Sequence, residues 1–501
     1  MKTLFILFLS FFFFCGGCGV MVGTAVDSAI GIATYPFKEY IFWGSYKYDN
    51  TWDTKYTPLK QDKDYGEILL GMGVSGGGSR SAYFMACVMK ELNQVSVEEG
   101  SNRTYLQELD YISSVSGGSL ASAYYCLLGY QGQDGPDAKF LDQFQQDMKS
   151  NFQARAILEY LLFGGCFLDF FTYYDRGDLM ADVWDKNFFR YATFQDLSEA
   201  EKKGAPILLI NATSLNDGLK FVFSTLPDES FQNSEYFQCI KNACFMKQSA
   251  TQEYKSFHTI GFQSLDIDIR PYRITKAVVA SASVPNLLGP VTLKDQAKKE
   301  DIRLVNLVDG GVYDNYGLES LMQIFTAYLD KNPGKKAKIL LIDGSGYFKE
   351  ENRQNDEYTV ADYSMRPLEV SWMRSKSYME YVSEKAKNYQ NEKGEYPYCN
   401  LDFEIISLYD ILPSQESTKP WVNEIALQKI LRPDITTQDF LEKVATIQTR
   451  FKLSCEDIQM IEDVAKKVVK TLIHSKRRNY ERKTSRRKGN PERANDHTES
   501  D

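Results

Sequence analysis

The chain has 501 residues, 43% hydrophobic and 25% charged, with no excess of Gly or Pro. This is a globular composition with enough apolar mass for one large domain or two to three smaller ones. The net charge is −9, yet residues 476–488 carry eight bases and a single acid. The body before that block has no basic stripe interleaved with aromatics, which argues against nucleic acid as a partner.

The N-terminus "MKTLFILFLSFFFFCGGCGV" has one lysine, the apolar run Leu4 to Phe14, and then Gly16-Gly17-Cys18. That order is a secretory signal pattern. It resembles a bacterial lipoprotein signal, which implies cleavage before Cys18 and lipid attached to the Cys18 thiol. Cys15 stands where that signal usually has leucine. An uncleaved anchor reaching about residue 22 is the competing reading. Both readings export the protein and tether it to a membrane surface. Residues 19–66 read as a connecting arm, 67–474 as the main domain, and 475–501 as a basic disordered tail.

From Glu67 the pattern becomes regular. "EILLGMGV" predicts a strand, Gly76-Gly77-Gly78 a loop, and Ser79 to Leu92 a helix. "LDYISSV" predicts a second strand, followed by a turn at Ser116-Gly117-Gly118 and a helix of small residues. Ala156 to Tyr174 is the most apolar stretch outside the N-terminus. Glu159 and Asp169 interrupt it, so it reads as a buried helix pair or as a lipid-facing cap. Pro206 to Asn211 predicts a strand, and "RITKAVVASASVPNLLGPV" a helix stopped by Pro285. "IRLVNLVDGG" predicts a strand entering a glycine turn at Asp309. "AKILLIDGSG" and "FEIISLYDIL" predict further strands. Apolar runs of four to six residues alternating with helices predict an α/β fold. Its central sheet would be mostly parallel, with helices on both faces, and sites would lie at the carboxyl ends of strands.

Nine cysteines occur, seven of them beyond Cys18, so these seven cannot all pair. Cys239 and Cys244 are close enough for a local disulfide in an oxidising compartment. No C-x-x-C pair with partner ligands occurs in the body and histidine is scarce, which argues against a zinc site.

Three glycine turns carry the chemistry. Gly73-Val74-Ser75-Gly76-Gly77-Gly78-Ser79-Arg80 presents backbone N–H groups at a helix start, and it lacks the Gly-Lys-Ser/Thr ending of a nucleotide loop. Ser114-Val115-Ser116-Gly117-Gly118 places a serine on a tight strand-to-helix turn. Asp309-Gly310-Gly311 puts a carboxylate at a strand end. Together, with "NATSLNDG", "AVVASASVPNLLGP" and "DGGVYDNYGLESL", they resemble the patatin-like phospholipases and the related catalytic domain of cytosolic phospholipases. The resemblance covers about Glu67 to Gly344, with a weaker echo over 444–468. The departures are Ser114 and Ser81, each where the family often has Gly.

The resemblance implies a three-layer patatin-like sandwich and a Ser-Asp dyad that uses no histidine, with Ser116 as nucleophile and Asp309 as base. It implies an oxyanion hole at Gly76, Gly77 and Gly78, and no metal or cofactor. Arg80 would orient that loop or meet a lipid phosphate; a plain helix-surface arginine is the bland alternative. His258 has no strand-end context, His474 borders the tail and His497 lies within it. The expected function is hydrolysis of fatty-acyl esters of phospholipids or lysophospholipids through an acyl-serine intermediate. An esterase acting on neutral glycerides or other acyl esters, and an inactive lipid- or partner-binding lipoprotein, are the alternatives.

Overall fold

The computed structural model describes residues 49–470, apart from 60–64, 156–174, 244–256, 285–287, 299–302, 347–359, 410–438 and some shorter stretches. The apolar run 156–174, the N-terminal signal with Cys18, the disulfide candidate Cys244 and the basic tail lie outside the described residues. Among the described residues no helix is long and apolar enough to cross a membrane.

The fold is an α/β sandwich around a nine-stranded sheet. Strands β1 (Ile68–Val74), β2 (Leu109–Val115) and β3 (Ile207–Ser214) are buried almost throughout, as expected for strands covered on both faces. β1 and β2 run parallel, as do β2 and β3. Beyond β3 lie β4 (Lys220–Phe223) and the short β5 (Thr259–Ile260). β6 (Val291–Asp295) and β7 (Arg303–Asp309) form an antiparallel pair. On the other side of β1 are β8 (Lys336–Asp343) and β9 (Leu401–Ser407), both parallel to it.

Side-chain alternation along β1 separates two cores. Leu70, Met72 and Val74 face one cluster, together with α1 (Gly78–Leu92), α2 (Gly117–Leu128), α3 (Ala138–Asp147) and α7 (Ile274–Ala282). Between α3 and α7 in sequence come α4 (Arg176–Trp184), α5 (Phe194–Lys202) and α6 (Glu235–Ala243). On the opposite face Leu69 joins Leu321 and Phe325 of α8 (Leu318–Lys331) and Met379 and Val382 of α9 (Val360–Lys387). Gly71 and Gly73 also point to that face. A methyl on Gly71 would stand 2.6 Å from the Phe325 ring, so the missing side chains let α8 lie close to the sheet.

Three strands run against the parallel set: β4, antiparallel to β3, β5, parallel to β4, and β7. β7 runs antiparallel to β3 and pairs with its last three residues, Ala212 opposite Asp309 through Ser214 opposite Leu307. On the same edge of β3, β2 arrives from the other end and stops at Val115 opposite Asn211. The carboxyl ends of β2 and β7 therefore meet head-on, one rung apart.

Candidate active site

That meeting places Ser116 against Asp309. Ser116 follows β2 directly and caps α2, with φ 54° and ψ −125°. A non-glycine residue pays on the order of 1–3 kcal/mol to sit there, and the surroundings enforce it. A methyl on Gly117 would overlap the Gly78 carbonyl oxygen, and one on Gly118 would stand 2.6 Å from Ser75 O. The serine turn and the glycine loop thus pack backbone to backbone. Ser114, the departure noted in the sequence, is buried on the preceding strand and donates to Leu209 O at 3.3 Å, so a Cβ fits there.

The Ser116 backbone is held from behind. Its N–H donates to Ser281 Oγ at 2.9 Å, and Ser281 donates in turn to Asn211 O at 2.6 Å. Ser281 has spent its one hydrogen, so the 2.9 Å contact with Ser119 Oγ is a bond that Ser119 donates. Asn211 Nδ2 reaches Ser113 Oγ at 2.9 Å and Ser114 O at 3.0 Å, and Asn211 Oδ1 accepts from Ser320 at 2.6 Å. Nothing local in the segments holding Ser281 and Asn211 marks either residue for this role.

Asp309 is 2% exposed and Ser116 7% exposed. The Asp309 backbone is fixed by its N–H to Ser283 O at 2.9 Å and by Thr213 Oγ1 donating to its carbonyl at 2.9 Å. Oδ1 accepts from Gly311 N–H at 2.7 Å. Oδ2 is buried, and no described group forms an aligned hydrogen bond with it. Burial pushes the carboxyl up to about 7, partly offset by the Gly311 N–H and by the nearby Ser116 hydroxyl. A carboxyl with that proton affinity and one free oxygen can take a proton near neutral pH.

The glycine loop lies on the other side of Ser116. Gly76 N–H donates to Asn315 O at 3.0 Å, so that amide is engaged. Among the described residues nothing accepts from the amides of Gly77 and Gly78. Gly77 has φ 143° and would bring a methyl to 2.6 Å from Gly344 O, so both its backbone angle and its packing require glycine. The N-termini of α1 and α2 both point here and bias the crevice toward negative charge.

Arg80 is 1% exposed, neither a surface residue nor placed to meet a lipid head group. Its Nε donates to Gly344 O at 2.8 Å and another guanidinium nitrogen to Ile447 O, which ties α1 to the end of β8. Gly344 N–H donates to Ser75 Oγ at 2.9 Å, so Arg80 acts on the loop from behind. Ser81, the other departure, donates to Ser75 O at 2.6 Å and braces the same turn. Next to it Asp343 is buried with Lys376 Nζ at 2.8 Å. Burial alone would raise Asp343, but Lys376 and the Ser345 bonds outweigh it and hold the carboxyl below its usual value. His258 precedes β5, three strand positions from β2, on the order of 14 Å at ordinary strand spacing.

Residues 74–322 match the family described as patatin-like phospholipase. These residues form a patatin-like phospholipase domain. The match gives this domain a patatin-like lipid hydrolase fold. Among solved structures the chain is similar to human GIVD cytosolic phospholipase A2, at 11% identity over 84% of this chain and 64% of that one, with a TM-score of 0.37. The same human protein in complex with methyl gamma-linolenyl fluorophosphonate gives 13% identity, 85% and 61% coverage and a TM-score of 0.37. VipD from Legionella pneumophila gives 12% identity, 77% and 69% coverage and a TM-score of 0.24. The chain spans less than two thirds of the length of the human structures. No curated protein sequence matches it.

Proposed function

We propose that the protein is a membrane-associated acyl hydrolase that cleaves fatty-acyl esters of phospholipids or lysophospholipids, with Ser116 as nucleophile and Asp309 as its base. The observation that carries this reading is the head-on meeting of β2 and β7, which sets a strained serine beside a buried carboxyl with a free oxygen. In the acylation step Ser116 Oγ attacks the ester carbonyl and its proton passes to Asp309 Oδ2. The oxyanion is met by the amides of Gly77 and Gly78. Collapse breaks the ester C–O bond, and the leaving alkoxide takes the proton from Asp309. Water then attacks the acyl-serine, with Asp309 again accepting a proton; collapse breaks the acyl–Oγ bond, Ser116 Oγ takes that proton back, and fatty acid leaves. Each amide donor aimed at the oxyanion contributes on the order of 3–4 kcal/mol.

A lipid surface as partner is supported by α9. Of the seven large hydrophobic side chains exposed among the described residues, Val370, Met373, Tyr378 and Tyr381 lie on this one helix. Its inner side touches the Asp309 turn, where Ser375 donates to Tyr313 O at 3.3 Å. Tethering through the exported N-terminus, with lipid on Cys18, belongs to the same reading.

The test is incubation with defined phospholipids and mass spectrometry of the products, wild type beside Ser116→Ala. Fatty acid released by wild type and absent with the variant is the expected result. Release that persists in Ser116→Ala removes the serine from the mechanism, and no release from any acyl lipid by the folded wild type removes the lipid hydrolase.

A further inference from the structure

Asn315 lies between the two turns that the reaction needs. It belongs to the segment Asp309 to Gly317, whose backbone is tightly closed. Asp314 accepts from the N–H groups of Tyr316 and Glu319 at 2.9 Å each, and Gly317 turns the chain with φ 61° into α8. Asp314 is also next to a buried ion pair, Lys220 with Glu319 at 3.0 Å, which ties α8 to β4. The loop is rigid by construction, and it presents Asn315 inward, 4% exposed.

Three contacts meet at this residue. Its backbone carbonyl takes the Gly76 N–H at 3.0 Å. Its Oδ1 fills the space that a side chain on Gly76 would need, and the same point lies 3.3 Å from the Ser116 Cβ. Oδ1 also stands 2.8 Å from where a Cβ on Gly311 would be, a point 3.0 Å from Asp309 Oδ1 and 2.9 Å from Trp372 Nε1. One carboxamide therefore touches the glycine loop and the aspartate turn at once, beside the serine. The indole N–H of Trp372, from α9, lies against the same point; it is buried and without a described partner. A buried indole N–H left unpaired beside the Asp309 turn is costly to a fold unless its position serves the site.

We propose that Asn315 is a positioning residue: it holds the glycine loop in register with the Asp309 turn, so that the oxyanion donors and the base face the same ester carbon. The inference rests on the Ser116–Asp309 reading above. It assigns to Asn315 a role in alignment, with no bond to the reacting atoms required. Misplacement of either turn by about 1 Å is enough to lose roughly a hundredfold in rate.

The test uses the full chain, a soluble short-chain ester, and titration of reactive serine with a fluorophosphonate probe. Asn315→Ser removes the carboxamide and keeps a small polar side chain. The expected result is a fall of roughly tenfold or more in kcat per titrated site, with KM changed by less than about threefold. A role confined to folding would lower the number of titrated sites and leave kcat per site unchanged, and that result overturns the proposal. Asn315→Asp places a second carboxyl against the Asp309 turn. Two interacting carboxyls titrate as a pair, so the pH–rate profile is expected to move by about half a unit or more. A folded Asn315→Asp variant with the wild-type profile also overturns the proposal. If Asn315→Asp does not fold, Asn315→Ser decides alone. The dyad reading fails separately: an active wild type that the probe labels at a serine other than Ser116 rejects it whatever Asn315 does.

Discussion

Burial of Asp309 acts in opposite directions on chemistry and on stability. For chemistry it lifts the carboxyl to about 7, where it is a far better base than an ordinary aspartate. We expect kcat/KM on a soluble ester to rise about tenfold per pH unit below 7 and to level off above it. A profile that is flat from pH 5 to 8 removes Asp309 as the base. For stability the sign is reversed. Between 3.8 and about 7 the folded chain holds a proton on Asp309 that the unfolded chain has already released. Folding stability from this group therefore falls as pH rises through that window, and above 7 the full cost of a buried charge is present. Each tenfold in proton affinity is worth about 1.4 kcal/mol, so the cost is on the order of a few kcal/mol. Asp309→Asn should lose roughly a hundredfold to ten-thousandfold in kcat. It should also melt a few degrees above wild type at pH 8, and the gain should shrink as pH falls toward 4. Thermal denaturation at several pH values checks this. A variant less stable than wild type at pH 8 would mean that the carboxylate is held by favourable interactions that the geometry does not show.

At the scale of elements, the serine turn works because β2, α2 and the glycine loop before α1 share backbone contacts. Gly117 faces the Gly78 carbonyl, a backbone atom that cannot rotate away. Gly117→Ala should therefore cost more than about 3 kcal/mol and abolish activity, read as a large drop in melting temperature. Ser114→Gly is the opposite case. It removes one 3.3 Å bond to Leu209 O and adds backbone freedom, at about 1–2 kcal/mol together, and touches no reacting group. Its kcat should stay within a few-fold of wild type; a large loss would make Ser114 part of the site. The two glycines after Ser116 were legible in the sequence because tight turns demand them locally. Ser281, Asn211 and Asn315 were not, because their roles depend on register. Nothing in the apolar run Leu304 to Val308 says that β7 enters antiparallel and overhangs only the last residues of β3. The burial of Arg80 was not legible either, for a related reason. A helix arginine ordinarily reaches solvent, and here α1 is covered on all sides, with carbonyls from residues 344 and 447 meeting the guanidinium.

Over the whole molecule, the sheet and its two helical layers follow from apolar periodicity, which is why the α/β class was legible. The placement of α9 was not, since its pattern is broken on both sides by charge. Trp372 and Met379 point inward, Lys376 reaches Asp343, and Val370, Met373, Tyr378 and Tyr381 remain outside. One helix thus touches the Asp309 turn on its inner side and offers apolar and aromatic groups to the surroundings on its outer side. If the substrate is held in a lipid surface, those groups gain by leaving water, at about 1.5–3 kcal/mol for a fully buried large side chain. A charge put in their place loses that gain and adds a desolvation cost. Met373→Asp combined with Tyr381→Asp should therefore reduce hydrolysis of phospholipid in vesicles by about tenfold or more, since each 1.4 kcal/mol is a factor of ten. The same double variant should hydrolyse a soluble short-chain ester at close to the wild-type rate, because neither side chain reaches Ser116 or Asp309. The ratio of the two rates is the measurement. Equal losses on both substrates would show that α9 acts on the site itself, and no loss on vesicles would show that the protein meets lipid through another surface.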